Sequence, residues 1–328
     1  MARFAAVGAG RMGRTIALAV AYAGHRVSLI DLRERSESAW DDLCRTAKAE
    51  TAQALSGFVQ LGVIPPELVE PIAARIELVS APDAAAALNA AELLFEGVPE
   101  TPEAKRGAFD IINAHAREDA IVTSTTSSMS VTDLARHVKN PERFLNLHWL
   151  NPAYVIPLVE LSVHAGTAAA VIDRTKSLME SLGKVPVVCH DAPGYIVPRL
   201  QALICNEVAR MIDEGVATAE EIDTATRFGL GLRFSAIGTV EFIDYGGCDI
   251  LHHVSRELSA SIDPLRFAAP AVIGRMFEQG QLGLKSGRGF YDYSGRDIVA
   301  YRHDVLARTV SALQGAGLWK PAVADTLS

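Results

Sequence analysis

The sequence predicts an α/β protein in which a doubly wound, mostly parallel sheet is followed by an all-helical C-terminal domain. Short apolar, β-rich runs alternate with helical runs over the first 190 residues, a pattern typical of a sheet covered by helices on both faces. Beyond His190 no run has strand character. A turn cluster, Asp191-Ala-Pro-Gly194, separates the two halves. We therefore expect domains at 1–190 and 191–328.

Strand and helix follow one another in regular order from the N-terminus. Residues 3–7 and 27–31 have the aliphatic character of buried strands, and the run 12–23 between them predicts a helix. A long, Ala-rich helical stretch is predicted over about 37–56, and a Pro-Pro break at 63–66 separates it from a second helix; together they form a helical arm over 37–76. Further strands are predicted at 93–98, 120–123, 144–149 and 159–163, and further helices at 102–116 and 168–182.

The second domain combines many apolar residues with no predicted sheet. Its helices are predicted at 195–214, 219–228 and 237–258, with a Gly-rich loop at 283–290 and a loose tail at 320–328. Two-fold homodimers are the commonest soluble assemblies and bury such surface. We therefore expect a homodimer; the alternative is that these helices pack on one another within the monomer.

Composition and charge limit the function classes. Hydrophobic residues make up 49% and charged residues 21% of the 328 positions, which excludes disorder along the whole chain. The net charge of −8 disfavours a nucleic-acid partner, because phosphate binding needs a basic face. No run of ~20 apolar residues predicts a membrane span. The N-terminus lacks the long apolar run of a signal peptide.

The cysteines indicate a reducing compartment. No two of them have the CxxC spacing of a zinc or redox site. We therefore expect reduced thiols in the cytoplasm and no metal site. The four are Cys44, Cys189, Cys205 and Cys248.

The strongest local motif is the glycine loop GAGRMG at 8–13, between the first predicted strand and the first predicted helix. Glycines there permit a tight turn, close approach of a pyrophosphate and close helix–strand packing. The free N–H groups of the helix N-terminus then face the phosphates. The alternative is a glycine turn without a ligand. The residues expected to bind a dinucleotide are Gly8, Gly10, Met12 and Gly13.

Asp31 ends the second predicted strand, 23 residues after Gly8. This is close to the spacing of the acid that binds the adenosine ribose in such folds. A carboxylate there repels a 2′-phosphate, so the expected cofactor is NAD and not NADP. Arg33 lies two residues further on and keeps NADP open as an alternative.

A histidine and a glutamate lie on two neighbouring predicted strands. His148 can move a proton near neutral pH, and Glu160, twelve residues on, can orient its ring and raise its basicity. Such a pair suits hydride transfer from an alcohol, which needs a base for the hydroxyl proton. A histidine flanked by Leu and Trp is also typical of a packed core. A buried glutamate without a partner, by contrast, is costly.

Hydroxyl side chains follow another predicted strand, in the run from Thr125 to Ser128. Ligands of doubly wound sheets bind outside the carboxyl ends of the strands, so a hydroxyl there can hold a substrate oxygen. The alternative is capping, in which Ser128 or Ser130 caps a helix that begins near Val131.

Taken together, these segments resemble the 3-hydroxyacyl-CoA dehydrogenase family. The resemblance is colinear over nearly the whole chain and includes GAGRMG, VTSTTSSMSVTDL, HWLNPAYVIPLVEL, DAPGYIVPRL, DEGVATAEEID and GLKSGRGFYDY. It implies a Rossmann-type NAD-binding domain followed by a helical domain that usually dimerises.

The resemblance also implies roles for single residues. His148 and Glu160 match the family's catalytic pair, and Ser127 matches the serine that hydrogen-bonds the substrate oxygen. Three further positions match residues near the nicotinamide or lining the cofactor site: Asn151, Glu100 and Lys105.

Two positions depart from the family pattern. Pro198 stands where the family segment PGFIVNRL has an Asn that helps to fix the substrate. Proline has no side-chain donor and no N–H, and it is tolerated there only in the first turn of a helix. Thr125 stands where the family usually has Asn before its TSS segment.

The segment GLGLRFSAIG at 229–238 is more similar to the gulonate dehydrogenase, lambda-crystallin and carnitine dehydrogenase branches. Arg233 within it suits a bidentate grip on the carboxylate of a free acid, and in a dimer it can reach the neighbouring site. The alternative is an ordinary ion pair. The helical arm 37–76 carries much acid beside Arg45, Lys48 and Arg75, which makes it a poor cradle for the phosphates of CoA.

The leading hypothesis is an NAD-dependent dehydrogenase of a short-chain 3-hydroxyacyl-CoA. The alternative is the same chemistry on a free hydroxy acid such as gulonate, 3-hydroxybutyrate or a carnitine-like compound. A third hypothesis, from another class, is a binding or structural protein on this scaffold, as in lens crystallins. The intact His148–Glu160 pair and the glycine loop argue against it.

Overall fold

A computed structural model describes residues 3–320 of the chain. Its first part contains one eight-stranded sheet with the strand order β3-β2-β1-β4-β5-β6-β7-β8. Strands β1 to β6 are parallel, β7 is antiparallel to β6, and β8 is parallel to β7. The strands are β1 (Arg3–Val7), β2 (Arg26–Ile30), β3 (Ile76–Val79), β4 (Leu93–Glu96), β5 (Ile121–Ser124), β6 (Phe144–Trp149), β7 (Leu158–Val163) and β8 (Val185–His190).

Helices cover both faces of the sheet, because its strands are apolar on both sides. In β1, Phe4 and Ala6 belong to one hydrophobic core, and Ala5 and Val7 belong to the other. This alternation is the two-residue period of a strand buried on both faces. The predicted doubly wound α/β fold is therefore confirmed. The helices of this part are α1 (Arg11–Tyr22), α2 (Glu37–Gln60), α3 (Val69–Ala73), α4 (Ala84–Ala90), α5 (Pro102–His115), α6 (Val131–Ala135) and α7 (Ala169–Ser181).

The strand order reverses between β1 and β4, and this reversal positions the site. The chain leaves β1 at Gly8, whose N–H donates to Ile30 O at 2.8 Å. It leaves β4 at Gly97, whose N–H donates to Val7 O at 2.8 Å. Ligands of open α/β sheets bind in the crevice at such a switch point.

Two strands were not predicted from the sequence. Strand β3 has only four residues and begins at Ile76, the last residue of the segment assigned to the helical arm. Within that segment α2 ends at Gln60 and α3 follows. Strand β8 contains Pro186 and forms the edge of the sheet. An edge strand tolerates a proline because one side of its backbone needs no partner.

The chain forms two compact units, of which the first ends at Cys205 and the second begins at Asn206. The domain boundary expected at His190 coincides with the end of β8 and stays a prediction. No helix within residues 3–320 is long and apolar enough to cross a membrane. The remaining helices are α8 (Val197–Asp213), α9 (Ala219–Ala225), α10 (Leu232–Ala236), α11 (Thr239–Gly246), α12 (Cys248–Ser261), α13 (Pro264–Phe267), α14 (Ala271–Glu278) and α15 (Ile298–Gly315).

These helices confirm the predicted all-helical C-terminal part but differ from it in their bounds. The segment predicted as one helix over 237–258 is divided into α11 and α12 at Gly247, whose φ of +112° ends the first of them. The helix predicted at 219–228 instead continues through a π-helical turn, Thr226–Gly231, into α10. Of the tail expected at 320–328, all but Lys320 lies outside the described residues.

The Gly-rich loop after α14 is packed around a buried carboxylate. Asp244 is fully buried and accepts the N–H groups of Phe290 at 3.0 Å and Tyr291 at 2.8 Å. A Cβ at Gly289 would lie 2.2 Å from Asp244 Oδ1. Glycine is therefore needed at 289 for close packing, which gives this motif a structural role.

Candidate active site

The glycine loop at the start of α1 has the shape that a pyrophosphate needs. A Cβ at Gly13 would lie 2.0 Å from Gly8 O, so the helix packs on the turn only because Gly13 has no side chain. Gly10, by contrast, faces open space. It caps α1 without any side-chain hydrogen bond to the first turn. The N–H groups at the start of α1 are therefore available to an anion.

A cavity of about 820 Å³ runs from this loop to the carboxyl ends of β5 and β6. Its volume lies in the range of small-molecule and cofactor sites. It brings together most of the residues that the sequence analysis singled out. Those in its lining are Gly8, Gly10, Met12, Asp31, Glu100, Ser127 and His148, together with Thr125 and Arg33.

Asp31 follows β2 at the end of this cavity and is only 5% exposed. Its carboxylate forms an ion pair with Arg35, four residues on. Arg33 and Arg35 both line the same cavity. Arg33 was predicted from the sequence and Arg35 was not, although a second basic residue four positions after Asp31 was a signal for it.

His148 and Glu160 face each other because β6 and β7 are antiparallel and pair in that register. His148 Nδ1 lies 2.8 Å from Glu160 Oε2. Glu160 is fully buried, and its Oε1 accepts the N–H groups of Ile196 and Val197, each at 2.9 Å. Three polar contacts thus satisfy the buried carboxylate, as buried charges require. His148 also lines the cavity, so it is more than a core residue.

Ser127 lies on an exposed loop after β5, and Glu100 holds that loop. The N–H of Ser127 donates to Glu100 Oε1 at 2.9 Å, and Thr126 Oγ1 donates to Glu100 Oε2 at 2.7 Å. The capping alternative applies to Ser130, whose hydroxyl accepts the N–H of Asp133 in α6. Ser127 is left in the lining of the cavity.

Lys105 and Asn151 lie outside the residues that line the cavity. Lys105 is 1% exposed, and its Nζ lies 2.9 Å from Oε2 of the buried Glu96 and 3.9 Å from Glu100. It therefore supports the cavity wall from behind. Asn151 is exposed just after β6. Glu96 was missed in the sequence analysis, although a glutamate inside an apolar strand is as unusual as Glu160.

Two sequence profiles match almost the whole described chain. The profile described as 3-hydroxyacyl-CoA dehydrogenase, NAD binding domain, matches residues 3–192. The one described as 3-hydroxyacyl-CoA dehydrogenase, C-terminal domain, matches residues 194–293. The chain belongs to the 3-hydroxyacyl-CoA dehydrogenase family. It is an NAD-dependent oxidoreductase of this type, and the resemblance found in its sequence is confirmed.

Relatives of this chain act on different classes of compound, as their names state. 3-Hydroxyadipyl-CoA dehydrogenase of Escherichia coli is 36% identical over 88% of this chain and 58% of its own length. 5-Formyl-3-hydroxy-2-methylpyridine 4-carboxylate 5-dehydrogenase of Mesorhizobium japonicum is 30% identical over 69% of this chain and 73% of its own. The crystal structure of a 3-hydroxyacyl-CoA dehydrogenase from Archaeoglobus fulgidus has a TM-score of 0.73 and 28% identity, covering 97% of this chain and all of that one.

Pro198, where the family has Asn, is the second residue of α8. A proline in the first turn displaces no intrahelical hydrogen bond, so the helix begins normally. The side chain has no polar atom, however, so it can offer a substrate no hydrogen bond.

Asp191 makes a contact that was not predicted from the sequence, which indicated only a turn at this residue. Its carboxylate accepts the hydroxyl of Ser130 at 2.6 Å and the N–H of Thr132 at 3.2 Å. Burial alone raises the pKa of Asp191, but these hydrogen bonds and that from Val131 together lower it below its ordinary value. Asp191 therefore stays ionised and anchors α6. No local pattern could show this contact, because 61 residues separate it from Ser130.

Arg233 lies in α10, in the second compact unit. Its guanidinium lies 5.2 Å from the ring of Phe242. No ion pair to Arg233 occurs among residues 3–320. The alternative role of Arg233 in an ordinary ion pair is therefore not supported by a partner in the described part of the chain.

Proposed function

We propose that this site interconverts a secondary hydroxyl and a ketone, with His148 as the acid/base catalyst, Glu160 as its orienting partner and Ser127 as the ligand of the substrate oxygen. The observation that carries the proposal is the 2.8 Å contact of His148 with the buried Glu160, at the wall of a cavity that also contains Ser127. A histidine held by a carboxylate is suited to proton transfer near neutral pH.

In the oxidation, the substrate hydroxyl gives its proton to His148 Nε2, the ring nitrogen opposite the one that contacts Glu160. The Glu160 carboxylate accepts a hydrogen bond from Nδ1–H and stabilises the imidazolium that forms. The Ser127 hydroxyl hydrogen-bonds the same substrate oxygen. When bound, NAD supplies the hydride acceptor for the carbinol carbon. In the reduction, His148 returns the proton to the oxygen.

The residues proposed to hold NAD are those of the glycine loop and Asp31. Gly8, Gly10 and Met12 line the cavity, and Gly13 permits the close packing of α1 on the loop. Asp31 binds the hydroxyls of the adenosine ribose. Through the family resemblance, Asn151 is proposed to lie near the nicotinamide, and Glu100 and Lys105 are proposed for the cofactor site.

Replacing Asp31 with alanine should weaken NAD more than NADP. The change removes a ribose hydrogen bond and a charge that repels a 2′-phosphate, and it leaves Arg33 and Arg35 free. The measurement is kcat/KM for each cofactor. Glu34→Ala removes a neighbouring exposed carboxylate and should leave the cofactor preference unchanged. If the unaltered protein already uses both cofactors, Arg33 and Arg35 decide the preference and the assignment of Asp31 is wrong.

A short-chain 3-hydroxyacyl-CoA is the first proposed substrate. The family supports it, and so does the 36% identical relative that is named for a CoA thioester. A free hydroxy acid is the second candidate, supported by the charges of α2. Its Arg45 is paired with Asp42 at 3.0 Å, and Arg14 of the neighbouring α1 is paired with Glu50 of α2 at 2.7 Å. Few free cations are thus left on α2 and beside it for CoA phosphates. A second relative is named for a pyridine carboxylate.

NADH formation with 3-hydroxybutyryl-CoA, free 3-hydroxybutyrate and gulonate should separate the two candidates. A CoA dehydrogenase turns over the thioester with the highest kcat/KM. If a free acid is preferred, Arg233→Met should raise its KM strongly, because the guanidinium is proposed to bind the carboxylate. Arg256→Met, at another exposed arginine, is the matched control. An unchanged KM for the preferred free acid removes Arg233 from the site. Turnover of none of the three excludes 3-hydroxybutyryl-CoA, 3-hydroxybutyrate and gulonate as substrates.

The protein is proposed to be a homodimer through its helical part. Helix α8 has no buried residue, although it carries several large apolar side chains. Four of them are between 45% and 66% exposed: Leu200, Leu203, Ile204 and Ile212. A second copy would cover this apolar surface. We expect sedimentation or light scattering to give twice the 35.1 kDa chain mass. A monomeric mass with full activity would contradict the interface.

A further inference from the structure

Tyr195 has a backbone conformation that residues with side chains rarely adopt. Its φ is +46°, the only positive value of a non-glycine residue within 3–320, and its side chain is almost completely buried. A bulky residue stays in this left-handed region only where its surroundings determine it. The contacts of its ring and hydroxyl show what these surroundings are.

The ring of Tyr195 lies beside His148, with 5.3 Å between the ring centroids and an angle of 33° between the planes. Its hydroxyl accepts a hydrogen bond from Asn146 Nδ2 at 3.0 Å. The same hydroxyl donates to Thr126 O at 3.1 Å, with Met129 O at 3.3 Å. Burial raises the pKa of Tyr195, so the phenol keeps the proton that it donates. One side chain therefore contacts both β6 and the loop that carries Ser127.

The backbone after Tyr195 contacts Glu160, the partner of His148. The N–H groups of Ile196 and Val197 both donate to Glu160 Oε1 at 2.9 Å. The three-residue segment 195–197 is thus in contact with His148, with Glu160 and with both ends of the Ser127 loop. The left-handed turn at Tyr195 allows its side chain and the following N–H groups to make these contacts at the same time.

We propose that Tyr195 is a positioning residue that fixes the Ser127 loop relative to His148, so that both reach the same substrate oxygen. The inference rests on the proposed function of the His148–Glu160 pair. Asn146 completes the arrangement, since its Nδ2 donates both to Tyr195 and to Met129 O at 3.0 Å. Without the hydroxyl, only one of these hydrogen bonds still joins the loop to β6, the one from Asn146 Nδ2 to Met129 O, and the position of the serine relative to the histidine is less firmly fixed.

The test is Tyr195→Phe, which removes the hydroxyl and keeps the ring against His148. We expect kcat to fall about tenfold, as a misplaced reacting group costs rate. The isotope effect with deuterium at the reacting carbon should rise, because the chemical step becomes slower relative to release. The dissociation constant of NADH, measured by fluorescence, should stay unchanged. Tyr22→Phe, at a tyrosine 37% exposed whose ring lies 5.5 Å from that of Phe58, is the matched control and should leave all three values unchanged.

Asn146→Ala provides a second variant in case Tyr195→Phe does not fold well enough to bind NADH. If the two residues act through one network, the double variant loses no more kcat than the worse single variant. Three results would each overturn the proposal. They are a parent-like kcat in Tyr195→Phe, additive losses of kcat in the double variant, and a loss of NADH affinity in Tyr195→Phe as large as its loss of kcat. His148→Gln distinguishes failure of the positioning role from failure of the proposed function. If His148→Gln is inactive while Tyr195→Phe keeps the parent's kcat, only the positioning role fails. If His148→Gln is fully active, the proposed function itself fails.

Discussion

Replacing His148 with glutamine should lower kcat by about 10²–10⁴-fold, which is the usual contribution of a positioned acid/base group. Glutamine cannot take up a proton near neutral pH, so the substrate hydroxyl would have to lose its proton to water. The affinity for NADH should remain that of the parent, because the glycine loop and Asp31 lie at the other end of the cavity. Steady-state NADH formation and fluorescence titration measure the two quantities.

His115→Gln is the matched control for this change. His115 is exposed at the end of α5, and its replacement should alter neither turnover nor binding. Near-normal turnover in His148→Gln would remove this histidine from the mechanism. A joint loss of turnover and of NADH binding would indicate damage to the fold, for which melting temperature is the check.

Replacing Glu160 with glutamine should lower kcat by a comparable factor, about 10²–10⁴-fold, because it changes which nitrogen of His148 carries the proton. Glu160 Oε1 accepts two backbone N–H groups. The amide oxygen of glutamine must therefore take that place, and its NH₂ group faces His148 Nδ1. This nitrogen then has to accept, so the ring proton moves to Nε2. An Nε2 that carries a proton cannot take one from the substrate.

The side chain of glutamine has nearly the same shape as that of glutamate, so the expected loss is in kcat, with little change in NADH affinity. Glu180→Gln, at an exposed position at the end of α7, controls for the loss of one negative charge. Turnover equal to that of the parent in Glu160→Gln would show that the carboxylate does not select the histidine tautomer.

How far the sequence predicts the site depends on whether its signals are local. The glycine loop could be recognised because strand, turn and helix follow one another within twenty residues. Glu160 could be recognised because a carboxylate in an apolar strand needs a partner. Glu96 gave the same signal at the end of β4 and was missed. Its partner Lys105 was instead assigned to the cofactor, although the structure buries the two together.

The sequence by itself determined the α/β class, the dinucleotide loop and the choice of His148 and Glu160 as candidates, while Ser127 was singled out among the hydroxyls after β5 by the family resemblance. These depend on periodicities and on residue types, which are properties of a short segment. It also gave two explanations for the serines after β5. The structure assigns capping to Ser130 and the cavity wall to Ser127.

Only the tertiary structure decided which distant groups meet. The register of β6 against β7 places His148 opposite Glu160, and a shift by one residue would send one side chain to the other face of the sheet. Tyr195 contacts Asn146 across 49 residues, and Asp191 contacts Ser130 across 61. Such contacts have no local pattern, because they depend on how the whole sheet brings its strand ends together. The bonding partners and the geometry of the site follow from that assembly, while the chemistry available to it was already in the residues.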